Sequence, residues 1–261
     1  MATETSELLY TTEGPLAVVT FNRPEARNAM TWGMYDRLYE LCDEIDANPD
    51  VRVVIFQGAG DRAFVAGTDI SQFQSFSEER HALEYEERIE RILSRLESLA
   101  RPTIALIRGY AVGGGLAIAA SCDLRYSTPS GKFGAPVART LGNCMAIGNF
   151  ARLTDLIGPM RTKELLFTAT FADAQQGLNL GLITEVVEPD QIEARVREVA
   201  TLIAENAPLT VRATKEAVRR LAEHRRPGGG EDIILSCYMS EDFKEGMTAF
   251  LEKRPPAWKG R

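Results

Sequence analysis

The sequence is short of the residues that hold metals or staple chains together. It has only 2 histidines and 4 cysteines in 261 residues. His81 and His224 lie far apart, and Cys42, Cys122, Cys144 and Cys237 form no C-x-x-C pair. A zinc site and a disulfide framework are therefore not expected, and the thiols read as reduced and cytoplasmic. Positive charge is also in deficit: 30 Lys and Arg stand against 37 Asp and Glu, a net charge of −7. That excludes an overall nucleic-acid footprint, although local basic clusters can still hold phosphates. No apolar stretch approaches a membrane span. The opening MATETSELLY has neither the basic nor the apolar region of a secretory signal. Tandem repeats and long low-complexity tracts are missing too. What is present is an ordinary globular composition, long enough for one large domain with a full core, with or without a small appendage.

Hydrophobic periodicity organises the chain. Leu16–Phe21 reads as a strand, broken by Asn22-Arg23-Pro24. Met34, Leu38, Leu41 and Ile45 recur at helical spacing, and 51–56 is a β-branched run that predicts a buried strand. This strand–helix–strand order favours parallel pairing with crossover helices, an α/β fold. Segment 78–99 is charged, carries Leu83, Ile89, Ile92, Leu93 and Leu96, and predicts a long helix stopped by Pro102. Thr103–Ile107 is a further strand, 116–120 a helix opening on a glycine turn, and 123–127 and the surroundings of Phe133 short strands. From Asn149 onward helical patterns dominate, with 183–187 the one late strand. Helices are expected over 191–205, 209–224 and 231–252, with a hinge at Pro227-Gly228-Gly229-Gly230. The chain divides into a core, 1–205, and a helical C-terminal part, 206–261.

Two segments are candidates for chemistry: Ala63-Phe64-Val65-Ala66-Gly67-Thr68-Asp69-Ile70 and Gly109-Tyr110-Ala111-Val112-Gly113-Gly114-Gly115-Leu116. Each follows a predicted strand and leads toward a helix. A glycine turn there lets backbone N–H groups face a ligand with no Cβ in the way, and a helix N-terminus adds the positive end of its dipole. Two such N–H groups converging from separate turns would make an oxyanion hole, worth about 3–4 kcal/mol per donor in a transition state. Each run taken alone is equally a tight turn in close packing. A dinucleotide loop is disfavoured, because Gly113-Gly114-Gly115 lacks the G-x-G-x-x-G spacing and falls late in the chain.

The two segments together resemble those of the enoyl-CoA hydratase/isomerase (crotonase) superfamily. Asn22-Arg23-Pro24-Glu25-Ala26-Arg27-Asn28-Ala29 looks like the opening motif of that family. Gly177-Leu178-Asn179-Leu180-Gly181-Leu182-Ile183 resembles its A-x-x-x-G-L-V element, and Ser240 to Arg254 is similar to its C-terminal helix. The resemblance covers nearly the whole chain, in order. It implies a ββα-spiral core, a homotrimer or dimer of trimers, and an acyl-CoA thioester substrate, with coenzyme A as part of the substrate and no separate cofactor. It implies oxyanion donors at the N–H groups of Thr68 and Gly114. It also implies a coenzyme A edge along Arg27, Ala66, Asp69 and Ile70, with Lys253 supplied by a neighbouring subunit.

One departure decides the chemistry. Hydratases of the family carry a Glu three residues after the middle glycine and another in F-G-x-P-E. The ungapped spacing through Asp123 to Phe133-Gly134-Ala135-Pro136-Val137 places Ala117 and Val137 there. Hydration needs a base for water and an acid for the α-carbon, and neither side chain can serve. Polar replacements are sought beyond Val137. Asn143 reads as a holder of water or a substrate carbonyl, or as a turn residue. Cys144 reads as a nucleophile or, lacking a histidine partner, as a buried structural thiol. Arg139 could pair with a substrate carboxylate or form a surface ion pair. His81 could be an acid/base or a solvated helix position. Asp69 reads as a helix cap and Asp123 as structural. Tyr110 and Tyr238 read as pocket hydroxyls or core packing. Three functions follow. The chain is an acyl-CoA enzyme with altered chemistry (isomerisation, decarboxylation, carbon–carbon cleavage or thioester hydrolysis), a catalytically inactive acyl-CoA-binding or scaffold member, or a hydratase with unusual acid/base groups. The retained glycines favour the first. All of this expects hydrocarbon beside the oxyanion hole, with no carboxylate arriving from elsewhere.

Overall fold

The computed structural model describes residues 7–223 and 228–261. Two sheets share the strands. The larger contains β1 (Leu8–Glu13), β2 (Leu16–Phe21), β3 (Val53–Gly58), β5 (Thr103–Ile107), β7 (Leu124–Ser127) and β10 (Glu185–Val186), in the order β1-β2-β3-β5-β7-β10. The smaller contains β4 (Ala63–Val65), β6 (Tyr110–Val112), β8 (Lys132–Gly134) and β9 (Ala172–Asp173), in the order β4-β6-β8-β9. All pairings are parallel except β1 with β2 and β8 with β9. The chain passes repeatedly from a strand of the larger sheet to one of the smaller and then into a helix: β3-β4 leads to α2 (Glu79–Glu97), and β5-β6 to α3 (Gly114–Ser121). This is the ββα spiral expected from the resemblance. α1 (Trp32–Ala47) crosses between β2 and β3. The remaining helices are α4 (Val137–Thr140), α5 (Ile147–Thr168), α6 (Ala174–Asn179), α7 (Ile192–Glu205), α8 (Pro208–Glu223), α9 (Glu231–Tyr238) and α10 (Glu241–Leu251).

The apolar runs follow from burial of the larger sheet on both faces. Val54 and Phe56 of β3 and Ala105 and Ile107 of β5 join the main core with α1, α2 and α3. The alternate residues Val53, Ile55, Ile104 and Leu106 meet Ile192, Val196 and Ala200 of α7 on the opposite face. A third cluster ties α2 to the C-terminal helices through Phe73, Ala82, Leu141, Cys144, Ile234, Tyr238, Phe243 and Met247.

Several predicted elements change. β1 was not expected: it is an edge strand in which only Leu8 is buried, so it carries little hydrophobic signal. The single helix expected over 231–252 is two, because Ser240 takes an extended backbone and its hydroxyl accepts from Phe243 N at 2.9 Å, capping α10. α5 is broken at Gly158 (φ 75°), ahead of Pro159. Of the expected hinge, Pro227 lies outside the described residues, as does His224, while Gly229 and Gly230 have positive φ. Among the described residues no helix is long and apolar enough to cross a membrane, and no cluster of His, Cys, Asp and Glu is arranged to hold a metal.

Candidate active site

β4 and β6 are parallel neighbours, so their C-terminal ends emerge side by side. Gly67 (φ 106°) follows β4 and Gly113 (φ 55°) follows β6, both in a backbone region that a side chain would strain. Gly113 caps α3, leaving the amides of its first turn without helical acceptors. Among the described residues neither Thr68 N nor Gly114 N donates to another group of the chain. A Cβ built on Gly114 would lie 3.7 Å from Thr68 N, so the two turns meet closely, and 2.5 Å from Tyr35 Oη, so no side chain fits. The Thr68 peptide is clamped by Met30 N to Gly67 O at 2.8 Å and Asp69 N to Met30 O at 2.9 Å. Its hydroxyl lies 2.9 Å from Tyr35 Oη and 3.1 Å from Tyr85 Oη. Burial pushes both phenols up, so they act as neutral hydrogen-bonding groups.

Both turns open on a cavity of about 200 Å³. Ala66, Gly67, Thr68, Ile70, Gly113 and Gly114 form one side, and Ala117 and Val137 contribute hydrocarbon. The opposite wall comes from α2, with Tyr85, Glu86 and Ile89, and from the segment Leu141, Asn143, Cys144 and Met145.

Glu86 overturns the expectation of a cavity without a carboxylate. Its side chain is buried. One oxygen accepts from Tyr238 Oη at 2.7 Å and the other from Ala146 N at 2.8 Å. Burial pushes its carboxyl up to about 7, against the downward pull of these two donors and with a small upward push from Glu90. No cation contributes. Near neutral pH such a group holds a proton and can give it up, as a general acid must. The signal was present in the chain. Ala82, Glu86, Ile89, Leu93 and Leu96 recur at four- and three-residue steps, the buried stripe of a helix, with one acid among apolar residues.

The structure brings Thr68, Gly114, Ala66, Ile70 and Asn143 to the cavity. Asn143 Nδ2 donates to Tyr238 Oη at 3.1 Å and to Cys144 O at 3.3 Å. Tyr238 is thus both core packing and a polar partner. Cys144 Sγ donates to Ile233 O at 3.5 Å, and its hydrogen bond with Cys237, then burial, push the thiol far up, away from a thiolate nucleophile. Five other candidates stay outside the cavity wall. His81 Nδ1 accepts from Ser77 N (3.2 Å) and Glu78 N (3.4 Å), so the ring is used in starting α2. Arg139 is exposed on α4 with its guanidinium 6.0 Å from the Phe171 ring. Asp69 caps a short 3-10 turn through Ser71 N at 3.2 Å and pairs with Arg23. Lys253 is exposed past α10, whereas Phe250 of the same chain reaches the cavity. Arg27 is exposed, accepts from Ala66 N at 3.1 Å through its carbonyl and lies 5.8 Å from the Tyr110 ring. Asp123 is structural, accepting from Thr103 N at 2.7 Å and Lys215 Nζ at 2.8 Å.

A larger cavity, about 930 Å³, lies between α3 and α8. Two ion pairs lie in its wall, Lys215 with Asp123 at 2.8 Å and Arg152 with Glu97 at 2.9 Å.

A ββα spiral with two glycine turns lining a largely apolar cavity is the architecture of the crotonase fold. The family model described as enoyl-CoA hydratase/isomerase matches residues 11–261, and the chain belongs to that family. It is similar to the short-chain-enoyl-CoA hydratase of Clostridium acetobutylicum, 36% identical over 254 residues, covering 96% of this chain and 97% of that protein. Among solved structures it is similar to methylmalonyl-CoA decarboxylase in complex with 2-nitronate-propionyl-CoA, with a TM-score of 0.90 and 30% identity over 98% of this chain and 99% of that one. It is also similar to an enoyl-CoA hydratase/carnithine racemase from Magnetospirillum magneticum, with a TM-score of 0.81 and 33% identity over 99% and 97% of the two chains. The chain is accordingly an acyl-CoA-processing enzyme of this family.

Proposed function

We propose that this enzyme decarboxylates a 2-carboxyacyl-CoA, holding the resulting thioester enolate between Thr68 N–H and Gly114 N–H and protonating it from Glu86. The observation that carries this reading is a buried carboxyl, lacking a counter-ion, on the cavity lined by Thr68 and Gly114, whose amides donate to no other group among the described residues. Hydration needs two acid/base groups, and the usual positions hold Ala117 and Val137. Decarboxylation needs none to begin. The bond to the departing carboxylate breaks, CO2 leaves, and its electron pair moves into the thioester, whose oxygen the two N–H groups receive. Neutral Glu86 then gives its proton to the α-carbon and is reprotonated from solvent. Coenzyme A enters only as part of the substrate. The likeness in shape to methylmalonyl-CoA decarboxylase, with a higher TM-score than the hydratase/racemase at similar identity, supports the same reading. The homotrimer or dimer of trimers belongs to the proposal. Exposed Phe167, Leu209, Val218 and Leu221 would form its apolar contacts, and light scattering of the purified protein tests it.

The test is incubation with methylmalonyl-CoA, following CO2 and the shortened thioester, beside crotonyl-CoA as a hydration substrate. CO2 release that declines as pH rises past about 7 is expected, with crotonyl-CoA turned over slowly or not at all. Rapid crotonyl-CoA hydration without CO2 release overturns the proposal. Isomerisation of a 3-enoyl-CoA would need Glu86 ionised first, so its rate would rise through the same pH range. Tight binding of acyl-CoA with no turnover would favour the inactive scaffold.

A further inference from the structure

We infer that Tyr238 of α9 is a positioning residue for the reaction, holding the Glu86 carboxyl by its phenol while Asn143 holds the phenol. This rests on Glu86 being the proton donor proposed above. The direction of the chain follows from its ends. The Asn143 amide nitrogen can only donate, so the phenol oxygen accepts at 3.1 Å, and the one phenol proton goes to Glu86 at 2.7 Å. The other carboxyl oxygen accepts from Ala146 N at 2.8 Å. With one donor on each oxygen, the carboxyl is fixed from behind, and a proton on the carboxyl must take a remaining lone-pair position. The Tyr238 ring has no room to swing: it is 1% exposed and lies 4.9 Å from the Phe243 ring and 6.1 Å from the Phe76 ring, centre to centre. Packing alone would be met by phenylalanine, and a buried hydroxyl is costly unless bonded.

Three distant segments meet here: α2, the segment 143–146, and α9, which lies 152 residues from Glu86 in sequence. The C-terminal helices therefore reach the Glu86 carboxyl through one phenol, while Phe250 of α10 adds to the cavity wall. The other groups facing Glu86 are Tyr35 of α1, Tyr85 and Glu90 of its own helix, and Cys144. Glu90 is neutralised by Arg152 of α5 at 2.7 Å. Tyr238 and Ala146 N–H are thus the two donors that favour ionised Glu86, and losing one makes the carboxyl keep its proton to higher pH.

The test is an infrared pH titration of the carboxyl C=O band that is present in the wild type and lost in Glu86→Gln, run beside the pH profile of turnover. In Tyr238→Phe the midpoint should rise by about one unit, a tenfold change in proton affinity, with the falling limb of kcat moving equally and KM little changed. Asn143→Leu should move it the same way by less. If Tyr238→Phe does not fold, 3-fluorotyrosine at 238, a stronger donor of similar shape, should move the midpoint down. An unmoved midpoint in a folded variant overturns the inference and leaves Tyr238 as packing. A titration with no Glu86 band near neutrality overturns the proton-donor reading instead.

Discussion

Glu86 and Glu90 stand one turn apart on α2 and live in different surroundings. Glu90 turns toward α5, where both its oxygens receive Arg152 at 2.7 Å, and Arg152, itself buried, also holds Glu97 at 2.9 Å. Glu86 turns toward the cavity and meets a phenol, a backbone amide and apolar side chains. The first carboxyl is tied to a cation and serves the packing, while the absence of a cation beside the second lets burial keep a proton on it. The same residue type on the same helix becomes a fastener in one place and a reagent in the other, by neighbours alone.

The contrast can be attacked at several points, the largest effect first. Glu86→Gln should lower CO2 release from methylmalonyl-CoA by about 10²–10⁴-fold, the usual worth of a general acid, with the fold retained. Turnover within threefold of wild type would show that the proton comes from elsewhere. Arg152→Met removes the cation that Glu90 and Glu97 share and should cost roughly 3–5 kcal/mol in urea unfolding at neutral pH. Part of that loss should return in acid, as the stranded carboxyls protonate.

Stability against pH tests the surroundings of Glu86 further. The folded protein holds the Glu86 proton up to about 7, against an ordinary value of 4.5. A group raised in this way contributes stability below the lower value and loses it as pH climbs to the higher one, because the folded state binds more protons between them. The loss is on the order of 3 kcal/mol between those limits. Wild type should therefore weaken relative to Glu86→Gln across that interval, and a pH-independent difference would contradict the assignment. Smallest is His81→Ala, which frees the two N–H groups at the start of α2 and should cost about 1 kcal/mol of stability while sparing turnover. Arg139→Met should likewise leave turnover intact, since its guanidinium rests on Phe171.

Much of the site could be read from local patterns. The glycine turns after β4 and β6, and the hydrocarbon at Ala117 and Val137, all lie in short ungapped motifs. β2 and β5 begin and end at the residues expected, because their apolar runs are bounded by turn residues. Glu86 lay in view as an acid on the apolar stripe of α2, but Leu83 and Ile92 beside that stripe blurred its phase. The break between α9 and α10 was hidden because Ser240 is compatible with a helix until its hydroxyl finds Phe243 N.

Backbone chemistry of the turns follows from residues a few places apart, so glycine spacing alone was enough to specify two outward-facing amides. The charge state of a carboxyl answers to dielectric and to whatever approaches through space. Which acid of α2 would be neutralised by Arg152, and which would be left to Tyr238 and a dry cavity, was settled only when α5 and α9 packed against that helix.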